Sequence, residues 1–344
     1  MNIACFVSSQ ISSHSSFSVQ DLFKLLYQAS FGREHILTEK AAEYLVKEYE
    51  EVEAMDIPLI EKISEHYIRV NLASWKYNKL DLQWLKRLFF IDNIVERDGN
   101  KLFFEYLEEI EESISSGALN LSKKAFEEYK LDYLTKGLHP IHHSENYRQN
   151  EYPHYRLMPS CFSKVIDILV MLSRSIKRSG TIVIDGRAAS GKSTIAGVVS
   201  KVLDAPIIHM DDFFLPPEKR TAERLSEAGG NVDYERFSKE VVNSLGIGDF
   251  EYGIFDCSEM KIIGKKLIEK SEYLIVEGSY SHHPHFGEYG DLRVFSDIDE
   301  TEQRKRILNR NGQSMLEMFE KRWIPMEEKY FAAFGIKEKS DLII

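Results

Sequence analysis

One segment of the sequence constrains the fold most, because it matches the phosphate-loop pattern G-x-x-x-x-G-K-[ST]. It follows a short apolar run, 181–185, and opens a helical segment. In that setting glycines let backbone N–H groups surround phosphate oxygens, and the helix N-terminus adds the positive end of its dipole. The alternative is a glycine turn without a ligand. The predicted phosphate-binding residues are Gly186, Arg187, Ala188, Ala189, Ser190, Gly191, Lys192, Ser193 and Thr194.

Three more short apolar runs follow the phosphate loop, at 206–210, 273–278 and 292–297. Helical segments separate these runs, and short buried strands that alternate with helices are typical of a parallel sheet. The sequence therefore predicts an α/β domain over residues 158–344, in which helices flank a parallel sheet.

The first half of the chain has a different pattern. Apolar residues recur at helical spacing after Ser18 and Asp21, which resemble a capping box. A stripe at spacing four runs from Leu102 to Ile114, and no alternation typical of strands stands out. We therefore expect a mostly α-helical domain of unknown role over residues 1–157.

Composition limits the classes of function. The 344 residues carry a formal net charge of −11, which argues against binding to nucleic acid or to an anionic membrane surface. The three cysteines lie far apart and form no disulfide or zinc pattern, which suits a reducing cytosol. We expect neither a signal peptide nor a membrane span. The expectation is a cytoplasmic protein without nucleic-acid or membrane partners, and a homo-oligomer is compatible with the sequence.

Carboxylates follow two of the predicted strands. Asp211 and Asp212 come directly after one, and Glu277 ends another. The carboxyl ends of parallel strands meet at the edge where open α/β folds bind ligands. A kinase needs a group that accepts the proton of the attacking hydroxyl, and either aspartate fits this role, with a helix N-cap as the alternative. The residues predicted to hold Mg²⁺ are Ser193, Asp211 and Glu277.

A basic helical segment, 302–312, follows the last of these predicted strands. Arg306 and Arg310 lie one helical turn apart and share a face. Because arginines can clamp a transferring phosphate, both are predicted catalytic residues, together with Lys192, whose ammonium group can reach the β- and γ-phosphates. The alternative is a solvated, charged helix face.

The order of these segments resembles that of uridine kinases and their relatives. The segments are IDGRAASGKST, HMDDFF, GGNVDYERF, LIVEGSY and the arginine-rich helix. The resemblance implies an ATP- and Mg²⁺-dependent kinase in which Asp211 is the catalytic aspartate and Glu277 lies near the metal. It further implies that Asp233 holds ribose hydroxyls, and that Phe213 and Tyr234 line the acceptor pocket.

The resemblance covers residues 160–335 and places Arg306 and Arg310 in a lid helix. It departs at one position, because uridine kinases have a histidine that contacts the base where this sequence has Met260. A polar base edge would lose its partner there, which argues against uridine as the acceptor. Three candidates to replace that histidine, with a packed or solvated loop as the alternative, are His282, His283 and His285.

The first half also contributes basic, aromatic and imidazole side chains that have no matched role. Near a domain junction, such groups could bind an anionic ligand or cover the acceptor pocket, and His139, His142 and His143 could bind a metal. Ordinary linker and helix-cap chemistry is the alternative. The residues are Arg33, His35, His66, Arg69, Trp75, His139, His142, His143, Tyr147, Arg148, His154 and Arg156, with Gly32 beside the first two at a helix end.

The sequence thus predicts an enzyme that transfers the γ-phosphate of ATP to a hydroxyl of a small metabolite, either nucleoside-like or another small alcohol. The competing hypothesis is a nucleotide-binding regulator whose helical domain binds a partner. The carboxylate of Asp211 favours the enzyme, because a sensor needs no acceptor-side base. The negative net charge disfavours an ATPase that acts on nucleic acid.

Overall fold

The chain divides into two compact units, Met1–Ser163 and Lys164–Ile344, each with its own hydrophobic core. The predicted boundary between 157 and 158 falls inside a strand, Tyr155–Pro159, that pairs with Tyr67–Asn71 of the first unit. The boundary therefore lies after this strand. The structure is a computed structural model, and it describes residues 3–33, 37–91, 98–174 and 179–344.

The first unit is mostly helical, as the spacing of its apolar residues predicted. Its helices are α1 (Ile3–Ser13), α2 (Val19–Phe31), α3 (Glu39–Glu51), α4 (Leu72–Tyr77), α5 (Leu82–Phe90), α6 (Gly99–Ser115), α7 (Lys123–Thr135) and α8 (Glu145–Glu151). Helix α2 begins with the predicted capping box, formed by Ser18 and Asp21. In the part of the chain that is described, no helix has the length and apolarity needed to cross a membrane.

A three-stranded antiparallel sheet completes the first unit, and the sequence pattern did not predict it. Strand β2 (Tyr67–Asn71) lies between β1 (Ile60–Lys62) and β3 (Tyr155–Pro159). Strand β1 has only three residues, and β2 is buried along most of its length. Neither strand therefore shows the alternation of a half-buried strand, and β3 joins them from far along the chain.

A chain of buried polar side chains crosses the first unit. The ring of His143 lies 2.8 Å from Asp21 through Nδ1 and 2.8 Å from the Tyr155 hydroxyl through Nε2. Gln28 donates to that hydroxyl at 3.1 Å, and Arg69 donates to Gln28 Oε1 at 2.9 Å. Burial lowers the pKa of His143 to about 4, so the neutral ring donates to Asp21 and accepts from Tyr155. These bonds offset the cost of burying the polar groups.

His143 is expected to make the first unit sensitive to acid. Its pKa is about 4 in the folded protein and 6.5 without that environment, so the unfolded chain binds the proton more tightly. Stability is therefore lost as the pH falls between these two values, by about 3 kcal/mol for this group. Urea unfolding across that pH range measures the slope. The variant His143→Gln should show a shallower slope, and an unchanged slope would contradict this account.

The second unit is built on a parallel sheet with the order β10-β9-β4-β8-β5, and an antiparallel hairpin, β6–β7, lies apart from that sheet. All four apolar runs predicted as strands belong to the parallel sheet, whereas the hairpin and the last strand were not predicted. The strands are β4 (Gly180–Gly186), β5 (Ile207–His209), β6 (Phe250–Asp256), β7 (Lys261–Ile268), β8 (Tyr273–Glu277), β9 (Leu292–Ser296) and β10 (Leu342–Ile343).

Helices accompany the parallel sheet, as expected for an α/β fold. They are α9 (Phe162–Arg174), which begins two residues before the boundary, α10 (Lys192–Leu203), α11 (Ala222–Ser226), α12 (Tyr234–Glu240), α13 (Glu300–Asn311), α14 (Gln313–Met318) and α15 (Ile324–Phe334). Because its strands are parallel, β4, β5 and β8 all end at one edge of the sheet. That edge holds the phosphate loop and the predicted carboxylates.

Gly186 is the position where β4 turns into the phosphate loop, and its φ of 137° strains any other residue. A Cβ atom there would lie 2.1 Å from the carbonyl oxygen of Ser296. We expect Gly186→Ala to lower the free energy of unfolding by about 3 kcal/mol, measured by urea titration. Gly197→Ala is the matched control, because a Cβ on that α10 residue meets no atom within 4 Å. Equal losses of stability in Gly186→Ala and Gly197→Ala would contradict the conclusion that only glycine fits at position 186.

Candidate functional site

The phosphate loop connects β4 to α10, as predicted, and its backbone is concave. Gly186, Ala189 and Gly191 have φ angles of 137°, 59° and 98°. Where residues with positive φ alternate with right-handed ones, neighbouring N–H groups turn to one side of a loop, an arrangement that binds anions. Lys192 begins α10, and its Nζ donates to the carbonyl oxygens of Gly186 and Arg187, both at 2.8 Å. The lysine is therefore already folded over the loop.

A glutamate that sequence reasoning missed also binds the loop. Glu327 of α15 is 7% exposed, and its carboxylate accepts from the Ala188 N–H at 2.9 Å and from the Ser279 hydroxyl at 2.7 Å. Burial raises the pKa of this carboxyl. The next residue, Glu328, accepts from Arg187 at 2.6 Å. No local motif marks these contacts, since Glu327 follows Ala188 by 139 residues.

Ser193, His209 and Glu277 meet at the end of β8. Ser193 Oγ donates to Glu277 Oε2 at 3.0 Å, and His209 Nδ1 lies 2.6 Å from Glu277 Oε1. This bond to Glu277 raises the pKa of His209. The structure thus brings together the predicted pair Ser193 and Glu277 and adds His209. His209 ends β5, and in the parallel sheet it pairs with Glu277 at the end of β8. Its position at a strand end could therefore have indicated from the sequence that it lies near Glu277.

Asp211 and Asp212 follow β5 in a short 3-10 helix, Met210–Phe213, and differ in their partners. The Tyr252 hydroxyl donates to Asp212 Oδ2 at 2.8 Å. Asp211 is open to solvent and has no hydrogen bond to its carboxylate from any described residue. Partial desolvation by the neighbouring protein, with the nearby Glu277 charge, raises its pKa. Asp211 is therefore a free carboxylate close to Glu277.

Asp233, the predicted partner of acceptor hydroxyls, is bound by the protein itself. Its carboxylate is 2% exposed and caps α12 by accepting from the Arg236 N–H at 3.2 Å. Lys219 Nζ donates to both carboxylate oxygens, at 3.0 and 2.8 Å. An acceptor hydroxyl could reach Asp233 only if the half-exposed Lys219 side chain moved away.

Phe213, predicted to line an acceptor pocket, lies in the core of the second unit. The side chain is fully buried, and its ring packs 4.9 Å from that of Phe237 and 5.2 Å from that of Tyr252. The Arg236 guanidinium lies 4.2 Å from the ring centroid. Burial of a large apolar ring stabilises the fold, and here that gain places Phe213 in the core.

Tyr234 remains a surface feature of the second unit. The guanidinium of Arg224 lies 3.4 Å from the centroid of its half-buried ring, and the exposed His285 ring lies at 4.4 Å. His282 and His283 are buried, and burial lowers the pKa of His283 to about 4. Both are therefore neutral packed side chains, whereas His285 stays accessible beside Tyr234.

Helix α13 contains the predicted basic segment, but its two arginines differ. Arg306 Nη1 donates to the carbonyl oxygen of Ala189 at 3.3 Å, so this arginine reaches the phosphate loop. Arg310 Nε donates to Asn311 at 2.7 Å, and within the described chain it makes no hydrogen bond to the loop. The structure therefore brings Arg306 to the site and leaves Arg310 outside it.

Met260, the residue at which the sequence departs from uridine kinases, lies in the turn between β6 and β7 with a φ of 56°.

The described histidines of the first unit do not form a metal site. Among residues 3–33, 37–91, 98–163 no group of three or more His, Cys, Asp or Glu side chains could hold a metal ion. His139 stacks on Tyr133 at 4.7 Å, and both ring nitrogens of His143 are engaged in the buried polar chain. The alternative in which His139, His142 and His143 bind a metal therefore finds no cluster among the described residues.

Other residues singled out in the first unit have structural roles. Trp75 is fully buried and donates to the carbonyl oxygen of Asp81 at 3.1 Å. Arg33 is 4% exposed and donates to the carbonyl oxygen of Ile91 at 2.6 Å. His35 lies outside the described residues. The structure does bring three of the residues to one cavity, namely Arg69, Tyr147 and His154.

Comparison with known proteins adds a likeness in fold. No protein-family model matches the chain, and no curated protein matches it. Among solved structures, a possible uridine kinase from Bacillus stearothermophilus is similar, with 19% identity and a TM-score of 0.42 over 53% of this chain and 98% of that chain. A candidate fructose transport system kinase from a Silicibacter species is similar too, with 20% identity and a TM-score of 0.40 over 53% of this chain and 97% of that chain.

The second unit is a P-loop domain. The parallel sheet, the concave loop after β4 and the helix that begins at Lys192 show this by themselves. What the P-loop domain acts on must be argued from its side chains.

Proposed function

We propose that the P-loop domain is an ATP-dependent kinase that transfers the γ-phosphate to a hydroxyl group of a small metabolite. The observation that carries this proposal is a convergence at one sheet edge. The phosphate loop, the Ser193–Glu277 pair at 3.0 Å and the free carboxylate of Asp211 all lie there. Nucleotide binding needs the loop and a metal-binding pair, whereas transfer to a hydroxyl also needs a base.

The loop fits a nucleotide phosphate group. Its positive φ angles form a concave backbone, and the N-terminus of α10 faces it. Ser190 Oγ is buried without a hydrogen-bond partner in the described structure, and Thr194 is exposed in the first turn of α10. The residues that would hold the phosphates therefore run from Gly186 to Thr194, with Lys192 supplying the positive charge.

Ser193, Asp211 and Glu277 offer the hydroxyl and carboxylate oxygens that Mg²⁺ prefers. The Ser193 hydroxyl and the Glu277 carboxylate lie 3.0 Å apart, and Mg²⁺ usually binds kinases through few carboxylates together with phosphates and water. When bound, Mg²⁺ would neutralise charge on the phosphate oxygens. The protein contributes orientation, because Ser193 and His209 each fix one oxygen of Glu277.

Asp211 is the residue we assign as the general base. It accepts the proton of the acceptor hydroxyl, and its raised pKa makes the carboxylate a stronger base. Asp212 already accepts a hydrogen bond from Tyr252, whereas the carboxylate of Asp211 has no partner among the described residues, and this difference favours Asp211 as the base. Activity should fall as the pH is lowered through the raised pKa of Asp211, since the protonated carboxyl cannot accept a proton.

Arg306 supplies a second cation beside the loop, where it can stabilise the negative charge on the transferring phosphate. On the acceptor side, the exposed His285 ring, which packs 4.4 Å from the Tyr234 ring, offers an aromatic face. Such a face suits a nucleoside-like acceptor or another ring-bearing alcohol.

A pooled library of hydroxyl-bearing metabolites tests the proposal. ATP and Mg²⁺ are added to the full-length protein, and mass spectrometry reads the products. We expect a phosphorylated metabolite whose formation requires Mg²⁺ and is lost in Lys192→Met. Tight ATP binding without any phosphorylated metabolite would support instead a nucleotide-binding regulator.

A further inference from the structure

A carboxylate from α15 occupies one of the backbone donors of the phosphate loop. Glu327 Oε2 accepts from the Ala188 N–H at 2.9 Å, and Oε1 accepts from the Ser279 hydroxyl at 2.7 Å. The N–H groups of such a loop are the donors that phosphate oxygens need. A nucleotide phosphate and the Glu327 carboxylate would therefore bring negative charge to the same short stretch of backbone.

The packing of α15 holds Glu327 at the loop. Tyr330, one turn further along this helix, is fully buried, and its hydroxyl donates to Asp185 at 2.9 Å. Glu328 accepts from Arg187 Nε at 2.6 Å, which ties the helix to the loop a second time. Because Glu327 itself is buried, its side chain has no open solvent into which it could turn. We therefore expect the carboxyl group to stay beside the loop when phosphates bind.

The titratable groups around Glu327 come from β4, from the start of α10 and from the segment after β8. Asp185 contributes a negative charge and Lys192 a positive one, whereas burial raises the pKa of Tyr280 and keeps it neutral. Lys192 Nζ donates to two carbonyl oxygens of the loop, and no Lys, Arg or His of the described chain forms an ion pair with Glu327. Burial prevails over these groups and raises the pKa of Glu327.

A bound nucleotide would change this balance of charges in one direction. Its phosphates add negative charge at the loop, and they draw the positive charge of Lys192 toward themselves. Both changes disfavour an ionised carboxylate at the Ala188 N–H. A protonated Glu327 avoids the repulsion, and its carbonyl oxygen can still accept the Ala188 N–H, so that the loop keeps its shape.

We propose that Glu327 couples nucleotide binding to a proton: the loop binds the phosphates with the Glu327 carboxyl protonated, and about one proton is taken up from solvent with each nucleotide. The inference rests on the nucleotide binding in the proposed function and adds regulation of that site by pH. Affinity falls as the pH rises, about tenfold for each pH unit above the pKa of Glu327 in the free protein. Protonation of Asp211 acts in the opposite direction and on turnover.

Calorimetric titration of the full-length protein with Mg²⁺ and the non-hydrolysable ATP analogue AMPPNP tests the inference. Two buffers of equal pH but different ionisation enthalpy give the number of protons taken up. We expect wild type to take up about one proton more than Glu327→Gln, and the variant to bind about tenfold more tightly at mildly alkaline pH. The amide oxygen can still accept the Ala188 N–H, which preserves the fold. Glu338→Gln, an exposed residue beyond α15, is the matched control and should behave as wild type.

Infrared difference spectroscopy detects the proton directly, as a protonated-carboxyl band that appears when AMPPNP binds to wild type and is missing in Glu327→Gln. Equal proton uptake in the two proteins, or weaker binding by the variant at every pH, would overturn the inference. Failure of both proteins to bind AMPPNP would overturn it together with the role of the phosphate loop. Proton-linked binding without any phosphorylated metabolite in the library would leave the inference standing and remove the kinase proposal.

Discussion

Replacing Asp211 with Asn is expected to lower turnover by about a thousandfold while ATP still binds. The amide cannot accept the proton of the acceptor hydroxyl, but the phosphate loop and Lys192 are unchanged. Asp211 lies at the end of β5 beside Glu277, without a partner of its own in the described structure, so its loss removes a reacting group and no structural contact. Steady-state kinetics with the identified acceptor measures turnover, and calorimetry measures ATP affinity.

Asp212→Asn is the matched control for this experiment. The two residues are neighbours in the same 3-10 helix, but Asp212 accepts a hydrogen bond from Tyr252 at 2.8 Å. We expect its amide variant to lose less than about tenfold in turnover, because the amide oxygen can still accept that bond. A loss in Asp212→Asn as large as that in Asp211→Asn would mean that the base is wrongly assigned.

The second large effect is expected at Glu277. Glu277→Gln removes the negative charge that Ser193 and His209 orient, so we expect the Mg²⁺ concentration required for activity to rise by about 10- to 100-fold. The pKa of His209 should fall at the same time, because Glu277 is the main cause of its elevation. Magnesium titrations of activity and NMR titration of the His209 ring measure the two changes.

Glu272→Gln is the matched control for Glu277→Gln. Glu272 is exposed and precedes the first residue of β8, at the edge of the sheet away from the phosphate loop. It should alter neither the Mg²⁺ requirement nor the His209 titration. An unchanged His209 pKa in Glu277→Gln would show that the contact between the two residues does not form in solution.

The parts of the site that follow one another along the chain could be predicted from sequence. A strand, a glycine-rich loop and a helix N-terminus are consecutive in the chain, so the phosphate-binding role of residues 186–194 can be predicted from the local sequence alone. The positions of Asp211 and Glu277 followed from a topological rule, because parallel strands end at the same edge of the sheet. The side chains at strand ends were therefore predictable even though they are distant in sequence.

The parts that depend on tertiary packing could not be predicted. Glu327 reaches the loop from α15, and its helix has no motif that points to Ala188. Phe213 was assigned to a pocket by resemblance, whereas burial of its ring places it in the core. The choice between Asp211 and Asp212 required knowing that Tyr252, from the unpredicted β6, binds one of them. Each of these facts depends on a long-range contact, which local pattern does not encode.

The most direct test of the central claim follows the γ-phosphate of labelled ATP in a reaction with the acceptor found in the library. The ratio of label in the phosphorylated metabolite to ADP formed is the quantity to measure. The convergence of the phosphate loop, Glu277 and Asp211 predicts a ratio near one, with both products lost together in Asp211→Asn. Label that appears entirely as inorganic phosphate, at the same rate in wild type and Asp211→Asn, would contradict the claim.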